Sequence, residues 1–354
     1  MVKNNTKIDF KGKDFFIGFD TARKRWSVTI RYEDMELKTY SMNPSPEELV
    51  KYLHKNYPGG VYHTVYEAGY GGFWIHRRLM ELGCDSMVVN PADIPTTHKD
   101  KDRKTDPVDS RKLARELSKG NLEAIYVPSE ESQNLRLLSR HLRRCIQSQT
   151  RVKNRIKSLL SYIGISYADG TKKTPKSYIR WLQELSLDNG PARQTLQCHI
   201  SELQEHHNRV NSIVKQIKDY CREIGSSDIL SLLCTIPGIG LRTAITLYTE
   251  IIDINRFKKL DHLKAYSGLI PTTDSTGERD RAKGITKRRN VFLRHVLIEA
   301  SWVAIRKDPA LLQYYSKACF RMKGQQAIVR VAKKLLSRIR YVWKTGNPYE
   351  CSIN

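Results

Sequence analysis

The beginning of the chain alternates apolar and polar positions in the way that strands do. The runs DFFIGFD, RWSVTIRYE and MELKTYSM lie between residues 14 and 42 and have the two-residue period of half-buried strands. Two further apolar runs, VYHTVYEAGY and SMVVNP, alternate with helical patterns that begin near Ser45, Gly71 and Lys104. This β-β-β-α-β-α-β-α order within about 110 residues predicts an α/β domain with a mixed sheet.

Two long helical patterns follow. The first is basic and amphipathic and runs from Glu131 to about Ile163, and the second runs from about Arg193 to Ile224. The heptad-like apolar spacing of the second predicts a coiled-coil pairing. The polar stretch 164–190 is broken by Gly and Pro and predicts a hinge or linker. From residue 229 onward the chain is predicted to be mostly helical.

The charge of the chain indicates a polyanionic partner. There are 61 Lys and Arg against 37 Asp and Glu, a net charge of +24, and 40% of the residues are hydrophobic. A folded basic protein is therefore expected rather than a disordered polycation. Residues 136–160 carry eight cations and no acid, and residues 277–344 carry 18 cations and four acids. Such one-sided stretches favour a nucleic-acid surface over a solvated helix face, where compensating acids are usual.

Several other classes of protein are disfavoured. No run approaches the roughly 18 apolar residues of a membrane span, and the N-terminus lacks the apolar centre of a signal peptide. The seven cysteines are an odd number without CxxC or CxxH spacing, which argues against a structural zinc site and for reduced thiols. We therefore expect a cytoplasmic protein with no membrane partner.

The segment LLCTIPGIGLRTAITLYTEI predicts a helix, a PGIG turn and a second helix. This is the pattern of a helix-hairpin-helix, in which backbone N–H groups around Gly238 and Gly240 face a phosphate. A tight helical corner that needs glycine only for its backbone freedom is the alternative. In a chain this basic we favour the nucleic-acid interpretation.

Four acids occupy positions where a metal site can form: Asp20 and Glu67 end two strands, and Asp106 and Asp109 lie three apart at the start of a helix. Strand-end acids gather at one edge of an α/β sheet. Phosphodiester chemistry uses two Mg²⁺ about 4 Å apart, and carboxylates are suitable ligands. Taken singly, Asp106 and Asp109 suit a helix N-terminus, and the other two acids suit a turn and the surface. Together the four favour a metal-dependent catalytic site.

A basic polar turn is the second chemical candidate. Residues 274–277, Asp-Ser-Thr-Gly, precede a run of cations: Arg279, Arg281, Lys283, Lys287, Arg288 and Arg289. A hydroxyl that attacks phosphorus needs activation and cations that neutralise phosphate oxygens. The run supplies the cations but no histidine base. From the residues alone, Ser275 is more typical of a phosphate hydrogen-bond donor than of a nucleophile.

Taken in order, these motifs resemble one family. IGFDTARKRWSV, VYEAGY, VNPADI and KTDPVDSRKLA are similar to the DEDD domain of the IS110 family of insertion-sequence transposases, relatives of the Piv DNA invertases. TIPGIGLRTA, YSGLIPTTDSTG and GITKRRNVFLRHVL resemble the C-terminal domain of that family. The resemblance covers nearly the whole chain.

The resemblance implies a domain plan. Residues 1–128 would form a RuvC-like, ribonuclease H-type α/β catalytic domain with a mixed sheet. Residues 129–228 would form a linker of long basic coiled-coil helices. Residues 229–354 would form a mostly α-helical transposase domain with the helix-hairpin-helix and the serine loop.

The resemblance also implies catalytic residues. The acidic tetrad that would hold Mg²⁺, with two ions per site, falls on Asp20, Glu67, Asp106 and Asp109. A C-terminal serine of the family attacks DNA and forms a covalent intermediate, completed against the acidic site of a partner subunit. The family places this serine directly before glycine, whereas here Thr276 precedes Gly277 and Ser275 comes one residue earlier. Ser275 is our first candidate for the nucleophile and Thr276 is the alternative.

We therefore expect a DNA transposase or recombinase that cuts and rejoins strands of a mobile element. The resemblance implies donor and target DNA, a structured non-coding guide RNA, and further copies of the chain in a dimer or tetramer, in the nucleoid of a prokaryotic cell. A Holliday-junction resolvase-type nuclease without a covalent intermediate is the alternative. A binding protein whose acids only cap helices is a third interpretation, which the intact order of the four acids disfavours.

Overall fold

The computed structural model describes residues 10–95, 105–165, 175–185, 187, 190–276, 279–286 and 288–351. The chain divides into two compact units, Met1–Val127 and Pro128–Asn354. Residues 129–228 lie within the second unit, where Leu135, Val210 and Leu293 belong to one buried cluster. The finer division into a linker and a C-terminal domain stays a prediction.

The first unit contains the predicted mixed sheet. Its elements are β1 (Asp14–Thr21), β2 (Trp26–Tyr32), β3 (Met35–Met42), α1 (Pro46–Asn56), β4 (Val61–Glu67), α2 (Trp74–Glu81), β5 (Asp85–Val89) and α3 (Asp106–Ser118). The strand order is β3-β2-β1-β4-β5. Strands β1, β4 and β5 run parallel to one another, and β2 and β3 extend the sheet antiparallel from β1.

Side chains alternate between the two faces of this sheet, and different helices cover each face. Phe15 and Phe19 of β1 pack in one buried cluster with Leu49 of α1. In a second cluster, Leu113 of α3 packs with Val65 of β4. The centre of the sheet is thus mostly apolar on both sides, with the buried hydroxyls of Thr29 and Thr64 as exceptions.

The second unit is mostly helical, as predicted. Its elements are α4 (Glu130–Tyr162), α5 (Pro175–Glu184), α6 (Gly190–Glu223), α7 (Ser227–Cys234), α8 (Leu241–Ile251), α9 (Leu260–Ser267), β6 (Pro271–Thr276), β7 (Arg279–Ile285), α10 (Val291–Ala304), α11 (Pro309–Cys319) and α12 (Gly324–Thr345). The long helices α4 and α6 pack together, with Val152 and Leu203 in one buried cluster, and their coiled-coil geometry stays a prediction. None of the described helices has the length and apolar character that crossing a bilayer requires.

Two segments that the sequence suggested as irregular contain regular structure. The expected linker 164–190 includes α5, because Ile179 and Leu182 are buried in the cluster shared by α4 and α6. Residues 274–276 of the expected polar turn lie in β6, which pairs antiparallel with β7. A two-stranded pair of this kind can leave a face in solvent, so its polar composition did not signal strands.

Candidate active site

The parallel pairing of β1 and β4 places Asp20 and Glu67 at the same edge of the sheet. Gly18 of β1 is opposite Val65 of β4, and each acid lies two residues beyond that pair. Side chains two residues apart point to the same face of a strand. Because Val65 packs against Leu113 of α3, both acids lie on the α3 side of the sheet.

Glycine at position 18 lets α3 lie directly on β1. A Cβ at this position would lie 2.3 Å from the backbone nitrogen of Ala114 and 2.5 Å from the backbone oxygen of Ser110. Gly18 precedes Asp20 on the same face, and Ser110 directly follows Asp109. The close approach therefore brings the acidic first turn of α3 toward the part of the sheet that carries Asp20.

Buried hydroxyl groups hold this turn in position. Ser110 Oγ lies 2.9 Å from Thr29 Oγ1 and 3.2 Å from Ser27 Oγ. Ser27 is the cross-strand partner of Asp20. The residue after Asp109 thus contacts the residue beside Asp20, which ties the two acidic segments together through neutral groups.

The loop after Glu67 closes on the same edge. A Cβ at Gly71 would lie 3.0 Å from Thr21 Oγ1, so this glycine allows the loop to touch the end of β1. The hydroxyl of Tyr66 donates to the carbonyl oxygen of Gly72 at 2.7 Å. Burial raises the pKa of Tyr66 to about 12, so the hydroxyl stays protonated at neutral pH and continues to donate.

The four carboxylates share one side of the sheet without converging on one point. Among the described residues, no three His, Cys, Asp or Glu side chains are grouped closely enough to hold a metal ion. The donor set itself suits a hard divalent cation, because Mg²⁺ prefers carboxylate oxygens. Asp20, Glu67 and Asp109 are partly exposed and Asp106 is exposed. The residues therefore fit a metal in chemical type and in position on the fold, and closure around an ion requires their side chains to turn toward each other.

Two exposed aromatic side chains follow Glu67, a feature that the sequence analysis missed. Tyr70 is 77% exposed, and Trp74 at the start of α2 is 52% exposed. Aromatic rings of this kind can stack on nucleobases. The residue pattern does not separate them from core aromatics such as Tyr66, because the course of the backbone turns them outward.

The candidate hydroxyls lie in the second unit, on the strand pair β6–β7. Ser275 and Thr276 are opposite Asp280 and Arg279. Of the predicted cations, Arg279, Arg281 and Lys283 are on β7, Arg288 and Arg289 are exposed beyond it, and Lys287 lies outside the described residues. The strand pair therefore gathers the hydroxyl positions and cation positions of the predicted serine loop.

The base of this strand pair is held by Arg294 of α10. Its guanidinium donates to the carbonyl oxygens of Gly268 and Thr286, which lie before β6 and after β7. Gly268 has a φ of +68°, and a Cβ there would lie 2.3 Å from Arg289 Cβ. Glycine is thus needed where the two ends of the strand pair meet.

A buried ion cluster joins α4 to the start of α10. Glu250 of α8 is 1% exposed and accepts from Arg140 Nε and Nη2 at 2.7 and 2.9 Å and from Asn290 Nδ2 at 2.8 Å. Asn290 also caps α10 by accepting from the backbone N–H of Phe292. Hydrogen bonding to Glu250 raises the pKa of Arg140, whereas burial lowers the pKa of Arg136. The cluster ties the long basic helix to the segment that follows β7.

The PGIG turn lies between α7 and α8, as predicted. Gly238 has a φ of +85°, and a Cβ there would lie 2.3 Å from the carbonyl oxygen of Ala300. Backbone conformation and packing on α10 therefore require glycine at position 238. This agrees with the alternative from the sequence analysis, a tight helical corner that needs glycine for its backbone. Gly240 has no described atom within 4 Å of a Cβ position, so its surroundings leave room for a phosphate.

Comparison with known proteins shows the family. A sequence profile of DEDD transposases of the IS110 type matches residues 17–165, and the profile of the IS116/IS110/IS902 transposase family matches residues 230–316. The y4rJ protein of Sinorhizobium fredii, which bears a transposase name, is 30% identical over 313 residues that cover 80% of this chain and 76% of the relative. This chain belongs to the IS116/IS110/IS902 family of transposases.

Other relatives also bear transposase names. The transposase for insertion sequence element IS1111A of Coxiella burnetii is 26% identical, over 81% of this chain and 79% of its own length. The transposase for insertion sequence element IS1533 of Leptospira borgpetersenii is 23% identical, over 81% of this chain and 84% of its own length. The chain is thus an insertion-sequence transposase, an enzyme whose substrate is DNA.

The two matched ranges cover both candidate sites. Residues 17–165 include all four acids, and residues 230–316 include the PGIG turn and the strand pair β6–β7. The DEDD domain indicates dependence on a divalent metal, and the mixed sheet with α3 agrees with a RuvC-like domain.

Proposed function

We propose that this transposase cuts and rejoins DNA strands with Mg²⁺, two ions per site, held by Asp20, Glu67, Asp106 and Asp109. The observation that carries the proposal is the close packing of α3 on β1 at Gly18, because it brings the acids of α3 to the side of the sheet that carries the two strand-end acids. When bound, Mg²⁺ supplies positive charge that stabilises the reacting phosphate and favours ionisation of an attacking oxygen. The carboxylates would bind the metal and fix its position relative to the strand.

We propose that Ser275 is the nucleophile. Its Oγ forms a bond to phosphorus, the bond from phosphorus to one bridging oxygen breaks, and the serine proton ends on the released strand hydroxyl. The phosphoserine keeps a phosphate ester bond, so an incoming strand hydroxyl can reverse the step and rejoin DNA without ATP. The cations placed on β7 support this role, since they would neutralise phosphate oxygens. Thr276, the adjacent residue of β6, is the alternative nucleophile.

The proposal includes further nucleic-acid and protein partners. A structured non-coding RNA would guide the transposase to donor and target DNA, as the family resemblance implies, and the net charge of +24 supports binding of more than one nucleic-acid strand. Exchange between two duplexes requires at least two active sites, so the acting form would be a dimer or tetramer. Its place of action would be the prokaryotic nucleoid.

Asp109→Asn tests the metal role. The variant should lose strand cleavage by about 10²-fold or more in Mg²⁺, because one carboxylate ligand is gone, while fluorescence anisotropy shows near-normal affinity for the same DNA. Asp34→Asn, which changes an exposed acid in the β2–β3 turn, is the matched control and should cleave normally. A large affinity loss in folded Asp109→Asn protein would contradict the metal role.

The covalent step separates a recombinase from a resolvase-type nuclease. A denaturing gel of the wild-type reaction should show a protein–DNA adduct that persists in Thr276→Ala and disappears in Ser275→Ala. Continued cutting by the double variant Ser275→Ala/Thr276→Ala, with hydrolysed ends, would support the nuclease instead.

The RNA that copurifies with the protein tests guidance. One discrete, structured RNA that is encoded beside its gene would support guidance, and heterogeneous cellular RNA would contradict it.

A further inference from the structure

We propose that a groove between α4, α8 and α10 binds consecutive phosphates of a nucleic-acid strand. The groove has a volume of about 150 Å³, and its polar lining includes Arg143, Gln147, Arg242, Thr243 and His295. No acid is among the lining residues. The inference rests on the proposed function only in taking nucleic acid as the ligand.

One arginine of the groove, Arg143, lacks a partner that a guanidinium in a folded protein usually has. Nη1 of Arg143 is buried, and no hydrogen-bond partner for it exists within the described part of the chain. Such a group costs free energy until an acceptor arrives. Glu250, the acid that acts electrostatically on Arg143, is itself bound by Arg140 at 2.7 Å. The groove is therefore a concentration of positive charge that an anion would relieve.

Phe292 orients Arg143 toward an incoming acceptor. The guanidinium carbon of Arg143 lies 4.9 Å from the centre of the Phe292 ring, an attractive cation–π distance. A cation–π contact uses the charge of the guanidinium and not its hydrogen-bond donors, so the N–H groups stay available for an oxyanion in the fork geometry that phosphates favour.

The arrangement fits a strand better than a small anion. Arg242 lines the groove beside Arg143, and it also acts on Lys153, whose pKa is lowered by burial and by this neighbouring charge. Residues 143 and 153 are about 15 Å apart along α4 at 1.5 Å per residue. Phosphates of one strand follow each other every 3.4 Å of helix axis, so this line of cations spans several of them.

The test is binding by the double variant Arg143→Met/Arg242→Met, which keeps most of the alkyl packing and removes two charges. Affinity for a 20-base-pair DNA duplex and for a single-stranded RNA 20-mer is measured by fluorescence anisotropy over a range of salt. We expect affinity to fall by about 10- to 100-fold for the strand that occupies the groove, and the salt slope to fall by about one to two. Loss with DNA only, RNA only or both supports the site and identifies its strand.

The matched control is Arg209→Gln/Arg222→Gln, which removes the same charge from exposed positions on α6 that are paired with Glu205 and Asp219. If the groove variant loses no more affinity than this control with either probe, the proposal is overturned. Arg242 is exposed, so Arg242→Gln keeps the test available should the double variant fail to fold, and a smaller loss of the same kind is expected. Binding needs no strand chemistry, so a wrong metal or serine assignment would leave the result unchanged.

Discussion

Gly18→Ala should damage the active site through packing alone. The new methyl group would lie 2.3 Å from the backbone nitrogen of Ala114, 2.5 Å from the backbone oxygen of Ser110 and 2.8 Å from Leu113 Cβ. Ordinary contact begins at 3.4 Å, so α3 must retreat from β1 by about 1 Å, since backbone atoms cannot rotate away. The retreat would carry Asp106 and Asp109 away from the side of the sheet that holds Asp20.

Both stability and catalysis should respond. Overpacking of this kind costs about 1–3 kcal/mol, which urea denaturation followed by circular dichroism would show as a lower midpoint. A displacement of about 1 Å among reacting groups costs about 10²-fold in rate, so cleavage in Mg²⁺ should fall further than the loss of folded protein explains. DNA affinity should change little, because the substitution adds no charge.

Gly69→Ala is the control for the glycine change itself. It lies in the same unit, and the nearest atom to its Cβ position is 4.0 Å away, so the midpoint should stay within about 0.5 kcal/mol of the wild type. If Gly18→Ala protein unfolds and cleaves like the wild type, α3 does not rest on β1 as closely as described, and the argument that places the acids together is refuted.

Two further predictions concern ionised groups. Glu250→Gln should cost about 3 kcal/mol of unfolding free energy, since it leaves the charge of Arg136, whose side chain is 13% exposed, beside a neutral partner. Glu202→Gln breaks an ion pair at a 40% exposed side chain and should cost under about 1 kcal/mol by the same urea assay. Equal losses would contradict the buried-cluster argument. Burial of His63 opposes its charge, but hydrogen bonds to Asp14 and Asp85 raise the pKa of His63 overall. The stabilisation that the charged His63 gives is therefore complete below the pKa of the unfolded state, and it disappears as pH rises through the pKa of the folded state. The Tm difference between wild type and His63→Gln should therefore be larger at about pH 5.5 than at about pH 8.5. It should stay small at both, because both aspartates are mostly exposed. A Tm difference that grows with pH would refute the stabilising role of charged His63.

Much of the fold follows from local pattern. The two-residue alternation in DFFIGFD and its neighbours determined the strands, and the structure has them in the predicted order. The positions of Asp20 and Glu67 at strand ends, and of Asp106 and Asp109 in a first helical turn, were equally visible. Each of these features depends on residues within a few positions of one another.

The tertiary structure decided what depends on contacts between distant residues. Gly18 looks like any small residue in a strand until α3, about 90 residues later, is packed on it. The sequence shows Glu250 only as an acid within a helical pattern, and its contacts with Arg140 and Asn290 form only in the folded chain. The sequence predicted a linker over 164–190, and the burial of helix α5 within it depends on contacts with α4 and α6. The sequence by itself determined the strands of the first unit, most of the helices and the residues capable of chemistry. Long-range packing decided which of them meet, because burial and close approach are properties of surfaces that the chain forms only when it is folded.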